Sequence, residues 1–234
     1  MTQTRRERLR ETTLAEIKSI ARQQMAAQGV AAVSLRAIAS QMGMAAPSLY
    51  NYFNNRDELI TALLVEAFNS LADVLEAASL TPPDSKGGER LFAAYLAYRD
   101  WALLHPTDFS LITGSPIPGY YAPENITTPA AKRIMGLFQQ LWQEAYLQKQ
   151  FTFPTEYDEM PEGLRQQYEA WKQFEGNALP PAILHLLLTS WAKAQGMVSL
   201  ELYGQLYDTL NDPTEFYRFE IRSVLKRVGL SVPE

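Results

Sequence analysis

Apolar residues recur at helical spacing from near the start of the chain. Leu14, Ile17, Ile20, Ala21 and Met25 fall on one face of a helix. Thr4 and Glu7 have capping-box spacing at its beginning, and Gly29 ends it. Ser34 is placed to cap a second, short helix through Leu35, Ile38, Ala39 and Met42, which Gly43 breaks. Pro47 suits the first turn of a third helix running through Leu49, Tyr50 and Phe53. Asn55 with Glu58 predicts the cap of a long fourth helix over 56–79, carrying Leu59, Leu63, Ala67, Leu71 and Leu75.

The run 81–88, with Pro82, Pro83, Gly87 and Gly88, reads as a linker. A helix is expected over 91–105, and Pro106 starts another. Residues 114–129 hold Gly114, Pro116, Pro118, Gly119, Pro123 and Pro129, which predicts a loop whose Tyr120–Tyr121 pair is covered from water. Helix resumes over about 129–150, a short piece follows near 164–174, and Pro180-Pro181 opens a strongly apolar helix to about Leu206. Asp212, Pro213 and Glu215 combine start signals for a last helix to about Val228. No strand alternation or internal repeat interrupts this, so the predicted fold class is all-α: three short helices followed by a larger helical body.

Composition narrows the function. Of 234 residues, 47% are hydrophobic and 20% charged, an ordinary globular balance, and there is no cysteine to form a disulfide, a thiolate nucleophile or a Cys-based zinc site. The polar N-terminus does not read as a secretory signal, and no stretch approaches the roughly 20 apolar residues of a membrane span, so a cytoplasmic protein with no membrane partner is expected. The net charge of −5 is unevenly spread. Residues 1–56 carry eight basic and three acidic side chains, a net of +5 that leaves −10 for the rest. A basic head on an acidic body is expected where one end meets phosphate.

Three short helices with a glycine between the second and third form a helix-turn-helix arrangement, whose third helix enters the major groove. Leu35, Ile38, Leu49 and Phe53 are its core positions, while Ser34, Arg36, Ser48, Tyr50, Asn51, Tyr52 and Arg56 are donors available to phosphates or base edges. Tyr50 is open to a second reading, plain core packing.

The runs Leu35-Arg36-Ala37-Ile38-Ala39-Ser40-Gln41-Met42-Gly43-Met44 and Ser48-Leu49-Tyr50-Asn51-Tyr52-Phe53-Asn54-Asn55-Arg56-Asp57-Glu58-Leu59 resemble the TetR family of bacterial regulators. The likeness covers roughly residues 8–64. Tyr52 stands where the family usually has His, and Arg56 replaces the common Lys. By position, the resemblance implies that Tyr50, Tyr52 and Arg56 hold phosphates, that Ser34 anchors the second helix, and that Ala45, Ala46, Pro47, Ser48 and Asn51 face the bases. That face has few long polar side chains, so readout would lean on thymine methyls, Asn51 and DNA shape. The implied organisation is a DNA-binding domain over 1–56, the helix over 56–79 as connector, and an effector-binding and dimerisation domain over 57–234. The run from Trp191 to Leu202 is similar to a subgroup with a Trp-His-Gly signature; Gln195 stands at the His position before Gly196.

The apolar helix over 181–206 requires burial on two sides, which suits a homodimer interface built from Leu187, Trp191, Ala194, Gly196, Val198, Phe216, Ile221 and Leu225. A central helix of a monomer is the other reading. Tyr95, Trp101, His105, Phe109, Tyr120, Tyr121, Phe138 and Trp142 supply either the walls of a pocket for a small apolar or aromatic effector or simply a core. No catalytic motif, metal set or phosphate loop is legible, so no cofactor, metal or enzymatic activity is expected. The expected function is a ligand-responsive repressor that binds a near-palindromic operator as a dimer, and the alternative is a helical protein–protein adaptor that kept the fold but lost DNA binding.

Overall fold

The computed structural model describes residues 4–80, 86–148, 151–175 and 179–233. Among these the regular structure is helical throughout, with ten α-helices, and no helix is long and apolar enough to cross a membrane. The chain divides into two compact units, Met1–Ser70 with His105–Lys132 and Leu71–Leu104 with Arg133–Glu234.

In the first unit, α1 (Arg5–Gln28) begins at the expected capping box. The Thr4 side chain accepts from the Glu7 amide at 3.2 Å, and the Thr4 amide donates to Glu7 Oε2 at 2.7 Å. Gly29, at φ 81°, ends the helix. Then come α2 (Leu35–Gln41), α3 (Ala46–Leu49), the start of α4 (Arg56–Ser79) and α6 (Pro106–Thr113). Their shared core holds Ile17, Ala21, Ile38, Leu49, Phe53 and Leu63, with Leu111 of α6 joining it. Arg22 of α1 donates to Asp108 at 2.8 Å and pins α6 beside α1.

The loop after α6 is shorter than its prolines suggested, because α7 (Glu124–Leu147) starts early and takes Pro129 into its first turns. The Pro123 carbonyl accepts from the amides of Ile126 and Thr127, so the helix is already under way when Pro129 arrives. The expectation for the tyrosine pair holds for one member. The Tyr120 hydroxyl lies 2.9 Å from Thr61 Oγ1, and the Thr61 proton is engaged by the Asp57 carbonyl, which leaves Tyr120 as the donor. Tyr121 is 90% exposed.

In the second unit, α5 (Gly87–Leu104), α8 (Glu162–Glu175), α9 (Pro181–Leu202) and α10 (Thr214–Arg227) join the later parts of α4 and α7. The last helix has Pro213, not the expected Asp212, at its N-cap; the Asp212 carboxylate accepts the Thr214 amide at 2.9 Å just ahead of it. Arg99 on α5 is buried against Glu201 on α9 in a two-pronged ion pair of 2.8 and 2.6 Å, and it also donates to Thr214 at 3.0 Å.

Gly87 and Gly88 overturn the linker reading. They are buried and open α5; residues 81–85 of the expected linker lie outside the described residues. A Cβ at Gly87 would come within 2.7 Å of the Ala145 backbone, and one at Gly88 would collide with the Ser231 carbonyl. These glycines are needed for close approach rather than for flexibility.

Gly87→Ala and Gly88→Ala should each destabilise the protein by roughly 1–3 kcal/mol, the ordinary cost of overpacking, seen as an earlier urea midpoint. Unchanged midpoints would show that α7 and the C-terminal segment yield easily. Glu201→Leu should cost more, about 3–5 kcal/mol, because it leaves the Arg99 charge buried without its partner; equilibrium unfolding measures the difference.

Candidate nucleic-acid interface

The interface is built on two very short helices, so their placement comes from caps and burial. Ser34 precedes α2 and caps it: its Oγ accepts from the Ala37 amide at 3.4 Å. Its own amide donates to Gln24 Oε1 on α1 at 3.0 Å, fixing the approach to the cap. Gly43, at φ 64°, turns the chain between α2 and α3, a conformation that costs most side chains energy. Pro47 lies in the first turn of α3, and Leu49 and Phe53 are buried beneath it. This leaves Ala45, Pro47 and Asn51 exposed, with Ala46, Ser48 and Tyr52 half-buried.

Tyr50 is 44% exposed, so its ring is not core. It lines a hollow of about 500 Å³ with Ser34, Arg36, Asn54, Asn55 and Arg56. Four of the expected contact residues, from the starts of α2 and α4 and the end of α3, therefore meet in one place. Its α4 side is held by a reciprocal cap: Asn55 Oδ1 accepts from the Glu58 amide at 2.9 Å, and Glu58 Oε2 accepts from the Asn54 amide at 2.7 Å.

Arg56 has a duty that charge alone does not suggest. Its Nε donates to the Val33 carbonyl at 3.1 Å, and one terminal nitrogen donates to the carbonyls of Val30 and Ala31 at 3.1 and 3.3 Å. The guanidinium thus ties the start of α4 to the segment that leads into α2. A lysine at this position is a point-charge donor without the planar fork, and it could not hold three carbonyls in the same way.

Tyr52 lies beneath Arg10 of α1, whose guanidinium carbon is 5.1 Å from its ring centroid, and Arg10 also reaches the Asn51 carbonyl at 3.5 Å. Sequence reasoning missed Arg10, Gln24 and Asn54 as contributors. The helical phase of α1 carried a signal for Arg10, since it lies on the same side as Ile17 and Ala21.

The eight residues expected around an effector fall into different units. Tyr95, Trp101, Phe138 and Trp142 are buried in the second, where the Tyr95 and Phe138 rings lie 4.7 Å apart and the Tyr95 hydroxyl meets Ser190 at 2.7 Å. Burial pushes the Tyr95 hydroxyl pKa up to about 12. His105, Phe109, Tyr120 and Tyr121 belong to the first: Phe109 is buried, Tyr120 bonds Thr61, and His105, at the head of α6, is exposed like Tyr121. Of the expected interface residues, Leu187, Ala194, Val198, Ile221 and Leu225 are buried within the chain itself, Trp191 is half-buried, and Gly196 and Phe216 are exposed.

If Arg56 acts through those carbonyls, Arg56→Lys should lower the thermal midpoint as well as DNA affinity, losing about 1.5–3 kcal/mol of stability as charge-assisted hydrogen bonds go. A variant with weaker DNA binding but unchanged melting would assign Arg56 to phosphate alone.

Residues 17–63 match the family model described as bacterial regulatory proteins, tetR family, and residues 91–224 match that of the tetracyclin repressor-like C-terminal domain. The HTH-type transcriptional regulator Rv1816 of Mycobacterium tuberculosis is 33% identical over 205 residues, 87% of each chain. The crystal structure of SCO4313, described as a regulatory protein, is 34% identical, with a TM-score of 0.78 over 95% of this chain and 100% of that one. A tetR-family regulatory protein from Rhodococcus RHA1 shares the fold at 18% identity, with a TM-score of 0.64 over 93% of this chain and 97% of that one. With a helix-turn-helix whose exposed third helix flanks a hollow lined by Arg36, Tyr50 and Arg56, the chain belongs to the TetR family of DNA-binding transcriptional regulators.

Proposed function

We propose that the protein is a cytoplasmic, homodimeric repressor that holds a near-palindromic operator and releases it when a small apolar or aromatic effector binds. The observation that carries the DNA half of this reading is the convergence of Ser34, Arg36, Tyr50 and Arg56 on one hollow beside the exposed face of α3. A phosphate there would meet a phenol and the Arg36 guanidinium, with the α2 cap behind them. Tyr52 is a further phosphate contact. Ala45, Ala46, Pro47, Ser48 and Asn51 then lie over base edges, and specificity rests on thymine methyls, Asn51 and the deformability of the duplex.

The effector half rests on the second unit. Trp142 is fully buried, and its indole N–H points near the Tyr95 hydroxyl without reaching hydrogen-bond geometry. The effector would take an aromatic or apolar frame to suit these walls. In the subgroup reading, Gln195 takes the place of the signature His; its Oε1 is likewise buried without a partner among the described residues. The dimer surface draws on the exposed Gly196 and Phe216 and the half-buried Trp191, together with Leu200 and Phe219, at 40% and 61% exposure. The reading assigns no catalytic residue, cofactor or metal.

Selection of bound fragments from a random-sequence duplex pool tests the reading. Enrichment of an inverted repeat with half-sites about one helical turn apart (~34–36 Å), or a multiple of it, is expected. Tyr50→Ala should then weaken binding to strong and weak sites alike and flatten the dependence of log K on log salt by about 0.9 for each phosphate no longer held. Enrichment of no sequence would sink the operator reading, and a duplex affinity indifferent to every compound that binds the second unit would sink the effector reading.

A further inference from the structure

The side of α1 that fills the core of the first unit continues beyond the core. Ile17 and Ala21 are fully buried, and steps of three or four residues back along the same side reach Leu14, then Arg10, then Arg6. Arg10 is where this stripe changes from apolar to cationic. There it meets α3's end, with its guanidinium over Tyr52 and a hydrogen bond to the Asn51 carbonyl. Both of those residues belong to the DNA-facing set, so the structure brings a cation from α1 to the edge of the surface that α3 presents.

Beyond that edge the helix remains basic. Arg5, Arg6 and Arg8 are exposed, and neither Arg5 nor Arg6 forms an ion pair among the described residues. Glu7, the carboxylate in their midst, is committed to the cap: the Thr4 amide and side chain hold its pKa below the ordinary carboxylate value. At 1.5 Å of rise per residue, Arg6 lies about 6 Å beyond Arg10 along the helix axis. That is nearly two steps of a DNA strand, which carries one charge per roughly 3.4 Å of axis. The capping box keeps this turn helical, so the arginines are displayed on a rigid element.

We propose that the first two turns of α1 are a second DNA-contact surface, in which Arg5, Arg6 and Arg10 hold phosphates just beyond the stretch that α3 reads. The inference rests on the reading of the Tyr50–Tyr52 region as the DNA-facing surface. It adds a flank-dependent contact that carries no base information. Guanidinium groups suit phosphate because their planar fork can donate two parallel hydrogen bonds.

The test uses the full-length protein and the duplex it selects, in two lengths: trimmed to the enriched sequence, and extended by five arbitrary base pairs on each side. Wild type should bind the extended duplex more tightly. The Arg5→Ala/Arg6→Ala double variant, which keeps Arg10, should lose most of that preference, with a salt slope on the extended duplex shallower by about 0.9 for each phosphate that goes unneutralised. Its sequence preference and thermal midpoint should match those of wild type, and Arg6→Lys should keep most of the flank effect. Equal affinity and slope for wild type and double variant on the extended duplex would overturn the inference. So would an equal loss on both lengths, which would place the arginines within the enriched sequence. Failure of wild type to select any duplex would instead overturn the DNA-facing reading itself, and this inference with it.

Discussion

A helix of four residues cannot persist by its own hydrogen bonds, because the cost of nucleation is not recovered over so short a length. The four-residue helix α3 is of this kind. Its geometry is borrowed from the burial of Leu49 and Phe53 against Ile17, Ile38 and Leu63, which come from α1, α2 and α4. Everything the interface can do depends on that shared core. The cost of holding α3 in place is met by apolar contacts on its hidden side, which frees the exposed side to consist of small residues. A surface made of Ala45, Pro47 and Ser48 could not organise itself; the core beneath it supplies its shape.

Arg56 shows the same dependence from the polar side. Four-residue and seven-residue helices leave most of their terminal backbone groups without intrahelical partners. The segment before α2 offers three carbonyls, of which Val30 already accepts the Val33 amide, and one planar cation gathers all three. The charge that reads from sequence as a grip on phosphate is also a clamp on the backbone, and it still leaves the guanidinium lining the hollow with Tyr50. Removing it would loosen the starts of α2 and α4 together, which is why its effect on DNA binding cannot be assigned to a phosphate without a separate measure of folding.

What was legible in the sequence follows from how local the physics is. The caps at Thr4, Ser34 and Asn55 all form as their spacing predicts, since each involves residues three apart. The glycine pair at 87 and 88 misled for the same reason. A Gly-Gly step after prolines has the local signature of a linker, whereas its cause is the approach of Ala145 and Ser231, which are far away in sequence. Burial in the second unit was legible as a quantity but not as an assignment. The apolar residues around α9 were expected to need cover on two sides; Leu187, Ala194 and Val198 are covered within their own chain. Periodicity shows that a side chain must leave water; it does not show whether its neighbour belongs to the same molecule.

The pair Arg99–Glu201 bears on that distinction. Apolar packing of α5, α9 and α10 is non-directional and would tolerate small slips of one helix along another. A buried carboxylate met by two guanidinium nitrogens, with Thr214 as a third contact, tolerates far less, because any slip leaves a charge without a partner. The pin lies at the end of α9 and the start of α10, on the helices whose outward residues Leu200, Phe216 and Phe219 remain exposed. An apolar surface is a specific partner for a second copy only if its side chains are held at fixed spacing. In this chain the buried polar contact fixes the end of α9 and the start of α10, and with them the spacing of the apolar side chains these helices expose.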